Sequence, residues 1–107
     1  MGELEQLVLL AVIRLEGEAY GMEVRREIEE RTGRDVSIGA VYTTLDRLER
    51  KGHLDSRLGE PTAERGGKAK KHYRIRASGR RALRDARRAL DRMWEGVPAA
   101  GPPKAGS

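Results

Sequence analysis

The chain has 107 residues, 22 of them Lys or Arg and 17 Asp or Glu, with a net charge of +5 and no cysteine. This length predicts one domain, and the lack of cysteine excludes disulfides, thiol catalysis and cysteine-ligated metal sites. No apolar run reaches the roughly 18 residues of a membrane span, and the first residues lack a signal-peptide pattern, so we expect a cytoplasmic protein without a membrane partner.

The first two predicted elements are helices. Residues 4–15 are apolar on almost every side, which predicts a helix buried against more than one neighbour, including a second copy of the chain. A second helix is predicted over residues 22–31, where Val24 and Ile28 form a narrow inward stripe. Gly33 is the expected left-handed residue just after its end.

A third helix is predicted from residue 38 to about residue 51, with Ser37 as its N-cap. One face repeats apolar residues, namely Ile38, Val41, Leu45 and Leu48. The opposite face combines short side chains with arginines, namely Gly39, Ala40, Thr43, Arg47 and Arg50. Short side chains on an exposed helix face allow that helix to enter a groove of DNA.

The rest of the chain predicts a hairpin, a helix and a tail. Strands at 54–58 and 71–76, with Leu54 and Leu58 facing inward, flank a turn-rich stretch with a basic tip. Ser78 is the expected cap of a last helix that runs to about residue 96. Its apolar residues are spaced alternately three and four apart, as in a coiled-coil seam: Leu83, Ala86, Leu90, Met93 and Val97.

This order of elements predicts a mainly α protein with a small β-hairpin, namely a winged helix-turn-helix followed by a C-terminal dimerisation helix. We expect the DNA-binding domain at 1–76, the dimerisation helix at 77–97 and a disordered tail at 98–107. The residues expected to form a homodimer are Leu4, Leu7, Val8, Leu83, Ala86, Leu90, Met93 and Trp94.

Residues 37–52, SIGAVYTTLDRLERKG, resemble the signature S-x-G-x-[LV]-Y-x-x-L-x-R-L-E-x-x-G of the PadR-like transcriptional regulators. Weaker matches upstream and downstream, among them Tyr20-Gly21 and Ser78-Gly79, extend the resemblance to roughly residues 4–95. The chain has Thr43 where the family often has Pro, which bears on base preference, and Arg76-Ala77 where the family often has Thr.

The resemblance implies a dimeric, sequence-specific DNA-binding repressor with a short final helix and no large effector domain. By position it assigns Ser37, Gly39, Tyr42 and Arg47 to the recognition helix, and Lys70, Lys71 and His72 to the wing. Exposure and charge add Thr43, Arg50 and Lys68 to the candidate DNA contacts.

Three of these side chains have a second interpretation. Tyr42 either contacts a phosphate through its hydroxyl or is an aromatic residue at the edge of the core. Arg50 either contacts DNA or pairs with Asp46, four residues earlier on the helix. Trp94 either stacks on a hydrophobic or aromatic small-molecule effector or anchors packing between two subunits.

The predicted function is a DNA-binding transcriptional regulator, specifically a repressor that binds an inverted-repeat operator as a homodimer. The alternative is a non-specific architectural DNA-binding protein, which would share the basic wing but show little sequence preference. A protein-interaction module would need an acidic or apolar outer face on the third helix. An enzyme, a cofactor or a metal site is not expected, because the sequence has no nucleophile–base pair, metal-ligand cluster or phosphate loop.

Overall fold

A computed structural model describes residues 1–16, 19–61 and 69–98. The elements in chain order are α1 (Glu3–Arg14), α2 (Gly21–Thr32), α3 (Ile38–Arg50), β1 (Leu54–Pro61), β2 (Ala69–Ile75) and α4 (Ala77–Trp94). The predicted fold class is confirmed: the chain is mainly helical with one antiparallel hairpin. None of these helices is both long and apolar enough to cross a membrane, as judged on the described residues.

The first three helices enclose one apolar core. The side chains with no solvent exposure in these helices are Val8, Leu9, Val24, Val41, Leu45 and Leu48. On α3 the predicted apolar stripe is therefore buried, with Ile38 partly buried at its margin. Helix α1 is buried on one side only, because Leu10 is 45% exposed on the other.

Local capping explains where α2 and α3 begin and end. Gly33 ends α2 with φ of 73°, a left-handed conformation that glycine adopts without a steric penalty. The Ser37 hydroxyl accepts a hydrogen bond from the Ala40 N–H at 3.1 Å, as expected of an N-cap. Between them, Arg25 Nε donates to the Val36 carbonyl at 2.8 Å and ties the short link to α2. The order helix, link, helix is the helix-turn-helix that the sequence predicts.

The hairpin loses contact with the helices towards its tip. Leu54 pairs with Ile75 at the base and is 2% exposed, whereas Leu58 pairs with Lys71 and is 67% exposed. The prediction that Leu58 faces the core is therefore wrong. It lies on the same strand face as Leu54, but at its level the strand has passed beyond the packed helices.

Helix α4 begins by docking closely on the end of α3. Its N-cap is Arg76 and not Ser78, which corrects the prediction. The Ser78 hydroxyl instead donates to the Gly52 carbonyl at 2.8 Å. One residue later, a Cβ atom added at Gly79 would lie 2.6 Å from the His53 carbonyl oxygen, so only glycine allows this approach.

Beyond its first turns α4 leaves its own core. Leu83 packs partly buried against the core, but Leu90 is 53% exposed and Met93 76% exposed. The helix ends at Trp94, so Val97, which the spacing assigned to the same seam, lies outside it. This helix has an apolar face for which its own protomer supplies little cover.

Candidate nucleic-acid interface

The outer face of α3 is exposed and carries short or polar side chains. We use this name for the face formed by Gly39, Thr43, Asp46 and Arg50, which follow one another at the four- and three-residue spacing of a single helix face. Arg50 is the last residue of α3 and lies at the C-terminal end of this face. No carboxylate in the described residues forms an ion pair with Arg50, so the local pairing with Asp46 is not formed.

Arg47 lies on the flank of α3 that faces α1. Its Nη1 atom is 3.9 Å from Glu5 Oε2, and the same carboxylate accepts a hydrogen bond from Lys51 Nζ at 3.0 Å. Glu5 is only 7% exposed, and the Lys51 hydrogen bond keeps the pKa of its carboxyl below the ordinary value despite burial. Part of the Arg47 charge is thus offset by a buried carboxylate that sequence patterns did not reveal.

Tyr42 is an aromatic residue at the edge of the core, and its side chain remains partly exposed. Its ring lies against the backbone of Gly21 at the start of α2, so close that a Cβ atom there would be 2.4 Å away. The side chain is nevertheless 40% exposed. A small surface pocket of about 40 Å³ lies beside it, lined by Tyr20, Gly21, Met22, Tyr42, Lys70 and Lys71.

The start of α2 leaves backbone donors near this pocket. Tyr20 is the N-cap, and its side chain makes no capping hydrogen bond. The first N–H groups of a helix lack partners within the helix and carry the positive end of its dipole. Lys70 Nζ lies 4.4 Å from the centre of the Tyr20 ring, which holds this cation at the same end of α2. The backbone donors and the cation together favour an anion.

Lys71 is paired with the recognition helix. Its Nζ atom is 3.3 Å from Glu49 Oε1, while Glu49 Oε2 accepts a hydrogen bond from the Ser56 hydroxyl at 2.6 Å. Behind them Tyr73 is 2% exposed, and burial together with the charges of Asp46 and Glu49 raises the pKa of Tyr73 to about 12. Tyr73 is therefore a neutral packing residue at ordinary pH.

His72 lies on β2, in the wing. Its Nε2 atom accepts a long hydrogen bond of 3.4 Å from Arg57 Nε, and its ring lies 5.4 Å from the ring of Tyr20. The adjoining Tyr73 N–H donates to the Ala19 carbonyl at 3.0 Å. The two residues just before α2, Ala19 and Tyr20, therefore lie alongside β2. Lys68, also predicted to contact DNA, lies outside the described residues.

A second exposed surface runs between α1 and α4. Leu90, Met93 and Trp94 are exposed here, whereas Leu4, Leu7, Leu83 and Ala86 are partly buried. Val8 has no solvent exposure and belongs to the core of its own protomer. The prediction that Val8 contributes to the dimer surface is therefore wrong. A groove of about 340 Å³ follows this surface, lined by Gln6, Leu10, Ile13, Arg80, Leu83, Arg84, Arg87 and Leu90.

A helix-turn-helix joined to a two-stranded wing defines the class of winged-helix proteins. Within that class, the sequence profile of the transcriptional regulator PadR-like family matches residues 9–85. The chain belongs to the PadR-like family of transcriptional regulators. Membership implies DNA-binding transcription regulation.

Known proteins agree with this assignment. The chain is 33% identical over 84 residues to an uncharacterised protein of Lysinibacillus sphaericus, a match that spans 77% of this chain and 72% of that protein. A PadR family transcriptional regulator from Eggerthella lenta is 28% identical with a TM-score of 0.70, over 89% of this chain and 82% of that chain. A transcriptional regulator from Clostridium thermocellum shares the fold, with 23% identity and a TM-score of 0.72 over 87% of each chain.

Proposed function

We propose that the protein is a repressor that recognises an inverted-repeat operator as a homodimer. The observation that carries the proposal is the outer face of α3, where Gly39 and Thr43 keep the first turns thin and Arg50 presents an unpaired guanidinium among the described residues. A thin helix face fits the major groove, and a guanidinium can donate two hydrogen bonds to guanine.

The contacts divide into base recognition and positioning. Arg50 is assigned to a base edge because it lies on the outer face and no carboxylate in the described residues forms an ion pair with it. Tyr42 and Lys70 are assigned to backbone phosphates, since both line the pocket at the N-terminus of α2, where the helix dipole favours an anion. Arg47, beside Glu5, is assigned to a flanking phosphate and not to a base.

The apolar face of α4 supports the homodimer and the assignment of residues 77–97 as the dimerisation helix. Leu90 and Met93 are more than half exposed in one protomer, and burying the exposed part of each across a two-fold interface contributes roughly 1–2 kcal/mol for each side chain. A two-fold axis then places two α3 helices on one side of a duplex. Their half-sites would be about one helical turn apart, or a multiple of it.

An effector site is proposed at the exposed end of α4. Trp94 is 49% exposed and, with Met93 and Val97, lines a shallow apolar surface on which a flat hydrophobic or aromatic molecule could stack. Because Trp94 is the only tryptophan, its fluorescence reports binding directly. We expect an aromatic ligand to quench the fluorescence saturably and to weaken operator binding. Quenching with unchanged operator affinity would show that the ligand does not regulate DNA binding.

The proposal is tested by selecting binding sites from a pool of random duplexes. We expect an inverted repeat to emerge, and a promoter carrying it to lose transcription when the protein is added. Arg50→Ala should weaken binding to the selected site by roughly 1–3 kcal/mol and relax sequence preference at one position per half-site. Arg47→Ala, on the same helix, is the matched control and should lower affinity for all duplexes alike.

The same experiment separates the architectural alternative. A non-specific binder would enrich no sequence, and its affinity would depend steeply on salt. Arg50→Ala and Lys70→Ala would then lower the affinity for all duplexes equally. Emergence of a direct repeat or of a single half-site would overturn the homodimer on an inverted repeat.

A further inference from the structure

Glu49 connects the recognition helix to both strands of the wing. Its Oε2 atom accepts the 2.6 Å hydrogen bond from Ser56 on β1, and its Oε1 atom lies 3.3 Å from Lys71 Nζ on β2. The two oxygens of one carboxylate therefore contact the two strands separately. A single side chain at the end of α3 restrains the angle between the helix and the hairpin.

The contact with Ser56 makes this ion pair more persistent than a typical surface pair. Exposed pairs contribute little, in part because two long side chains must be ordered together. Here the hydroxyl fixes the Glu49 carboxylate, whose side chain is only 33% exposed, so the pairing orders Lys71 alone. The pair also lies beside the buried Tyr73 ring, 5.7 Å from Lys71 Nζ, where water screens it less.

The neighbouring lysine is held differently. Lys70 lies on the opposite face of β2, over the ring of Tyr20, and no carboxylate in the described residues forms an ion pair with it. Two adjacent lysines of the wing thus present different charges to a ligand: Lys70 retains its charge, whereas that of Lys71 is offset by Glu49.

We propose that Glu49 is a positioning residue that holds the wing against the recognition helix and keeps Lys71 away from the DNA backbone. This inference rests on the proposed function and adds a determinant of specificity to it. Non-specific affinity grows with the number of phosphates that cations neutralise. An operator complex additionally requires one fixed angle between α3 and the wing. Glu49 therefore disfavours non-specific binding, by offsetting the Lys71 charge, and favours operator binding, by fixing that angle.

The test uses Glu49→Gln in the full-length protein. The amide keeps the side-chain length and can still accept from Ser56, but it no longer offsets the charge of Lys71. On random-sequence duplexes we expect the slope of log affinity against log salt to steepen by about 0.9 per protomer, which corresponds to roughly eightfold tighter binding per protomer near 0.1 M salt. On the selected operator we expect no comparable gain, so the ratio of specific to non-specific affinity falls by about the same factor.

Two further variants assign the effect. In a Lys71→Gln background, Glu49→Gln should leave the salt slope unchanged, because the released cation is no longer there. Glu30→Gln removes the same charge from an exposed position on α2 and should leave the affinity ratio unchanged. Circular dichroism and thermal melting show whether each variant is folded.

The outcomes distinguish this inference from the function on which it rests. An unchanged salt slope in Glu49→Gln, an equal change in Glu30→Gln, or a change that persists without Lys71 overturns the inference alone. If the unaltered protein binds random duplexes without preferring any sequence, the repressor proposal fails, while the salt slopes still decide whether Glu49 restrains Lys71. If it binds no DNA, both fail.

Discussion

The ring of Tyr42 lies so close to Gly21 that a Cβ atom on this glycine would be 2.4 Å from the ring. This contact joins the start of α2 to the first turns of α3, the two places where donors for DNA phosphates are proposed. Gly21 and Tyr42 are both among the residues that resemble the PadR-like family. The Tyr42 ring occupies the space that a side chain at position 21 would need, so this placement of the ring requires glycine there.

Gly21→Ala is predicted to impair DNA binding more than folding. The added methyl must displace the free end of a half-exposed tyrosine, a change that costs about 1 kcal/mol of stability when side chains can move aside. The hydroxyl then leaves its phosphate, and operator affinity should fall about tenfold, as for a lost hydrogen bond to a charged group. Thermal melting and operator titration measure the two effects. Tyr42→Phe, which keeps the ring, should show the same loss of affinity without the loss of stability.

Gly39→Leu is predicted to maintain or raise stability while it impairs DNA binding. A Cβ atom at Gly39 meets nothing within 4 Å, and leucine is a better helix former than glycine by roughly 0.5–1 kcal/mol. The variant should therefore be at least as stable as the unaltered protein. If the outer face of α3 enters the groove, operator affinity falls more than tenfold, with Gly39→Ala in between. Undiminished affinity would show that this turn does not approach the bases.

Glu5 is predicted to make the protein sensitive to acid. The folded protein lowers the pKa of Glu5 below its ordinary value of 4.5, first through the hydrogen bond from Lys51. The stabilisation is therefore complete above that ordinary value and is lost as the pH falls through the lower folded-state value. Glu5→Gln should cost about 1–3 kcal/mol at pH 7 and flatten the loss of stability as the pH falls below the ordinary carboxyl pKa.

Denaturant unfolding at several pH values measures this effect. The matched control is Glu3→Gln, on the same helix but with its carboxylate in an exposed pair with Arg34. Exposed pairs contribute about 0–1 kcal/mol, so the control should keep the pH profile of the unaltered protein. Equal profiles in both variants would contradict the importance of the buried carboxylate.

Leu90→Asp is predicted to separate the homodimer. The side chain is 53% exposed on the apolar face of α4, so a charge there leaves the protomer folded but opposes burial across an interface. Sedimentation should change from dimer to monomer at tens of micromolar, and operator affinity should fall with it. Leu58→Asp, an equally apolar position on the wing with 67% exposure, is the control for sedimentation. A dimeric Leu90→Asp would place the interface elsewhere.

Most of the fold could be predicted because its signals are local. Ser37 caps α3, Gly33 ends α2 and the apolar repeat of α3 is buried, all of which depend on residues within a few positions of each other. Predictions that depended on distant neighbours fared worse. Leu58 has the right strand parity to be buried but lies beyond the helices, and Ser78 has the right chemistry for a cap but bonds to Gly52 instead.

The candidate site divides in the same way. Gly39, Tyr42, Thr43 and Arg50 could be placed on exposed or half-exposed faces of one helix from periodicity alone. The net charge around each cation could not be predicted from periodicity, because the carboxylates that offset it come from other elements. Arg47 lies near Glu5 of α1, and Lys71 pairs with Glu49 of α3. Glu49 is present in the signature, but spacing does not reveal that its carboxylate faces the wing.

The sequence by itself determined the order of the elements, the end of α2, the start of α3 and the face of α3 that is left for a ligand, because caps and periodicity act over a few residues. Only the tertiary structure decided which cations remain available on that surface and which apolar side chains remain uncovered. Both depend on how separate elements pack: the contact of Glu49 with two strands and the exposure of Leu58 each follow from an arrangement of elements that no local pattern encodes.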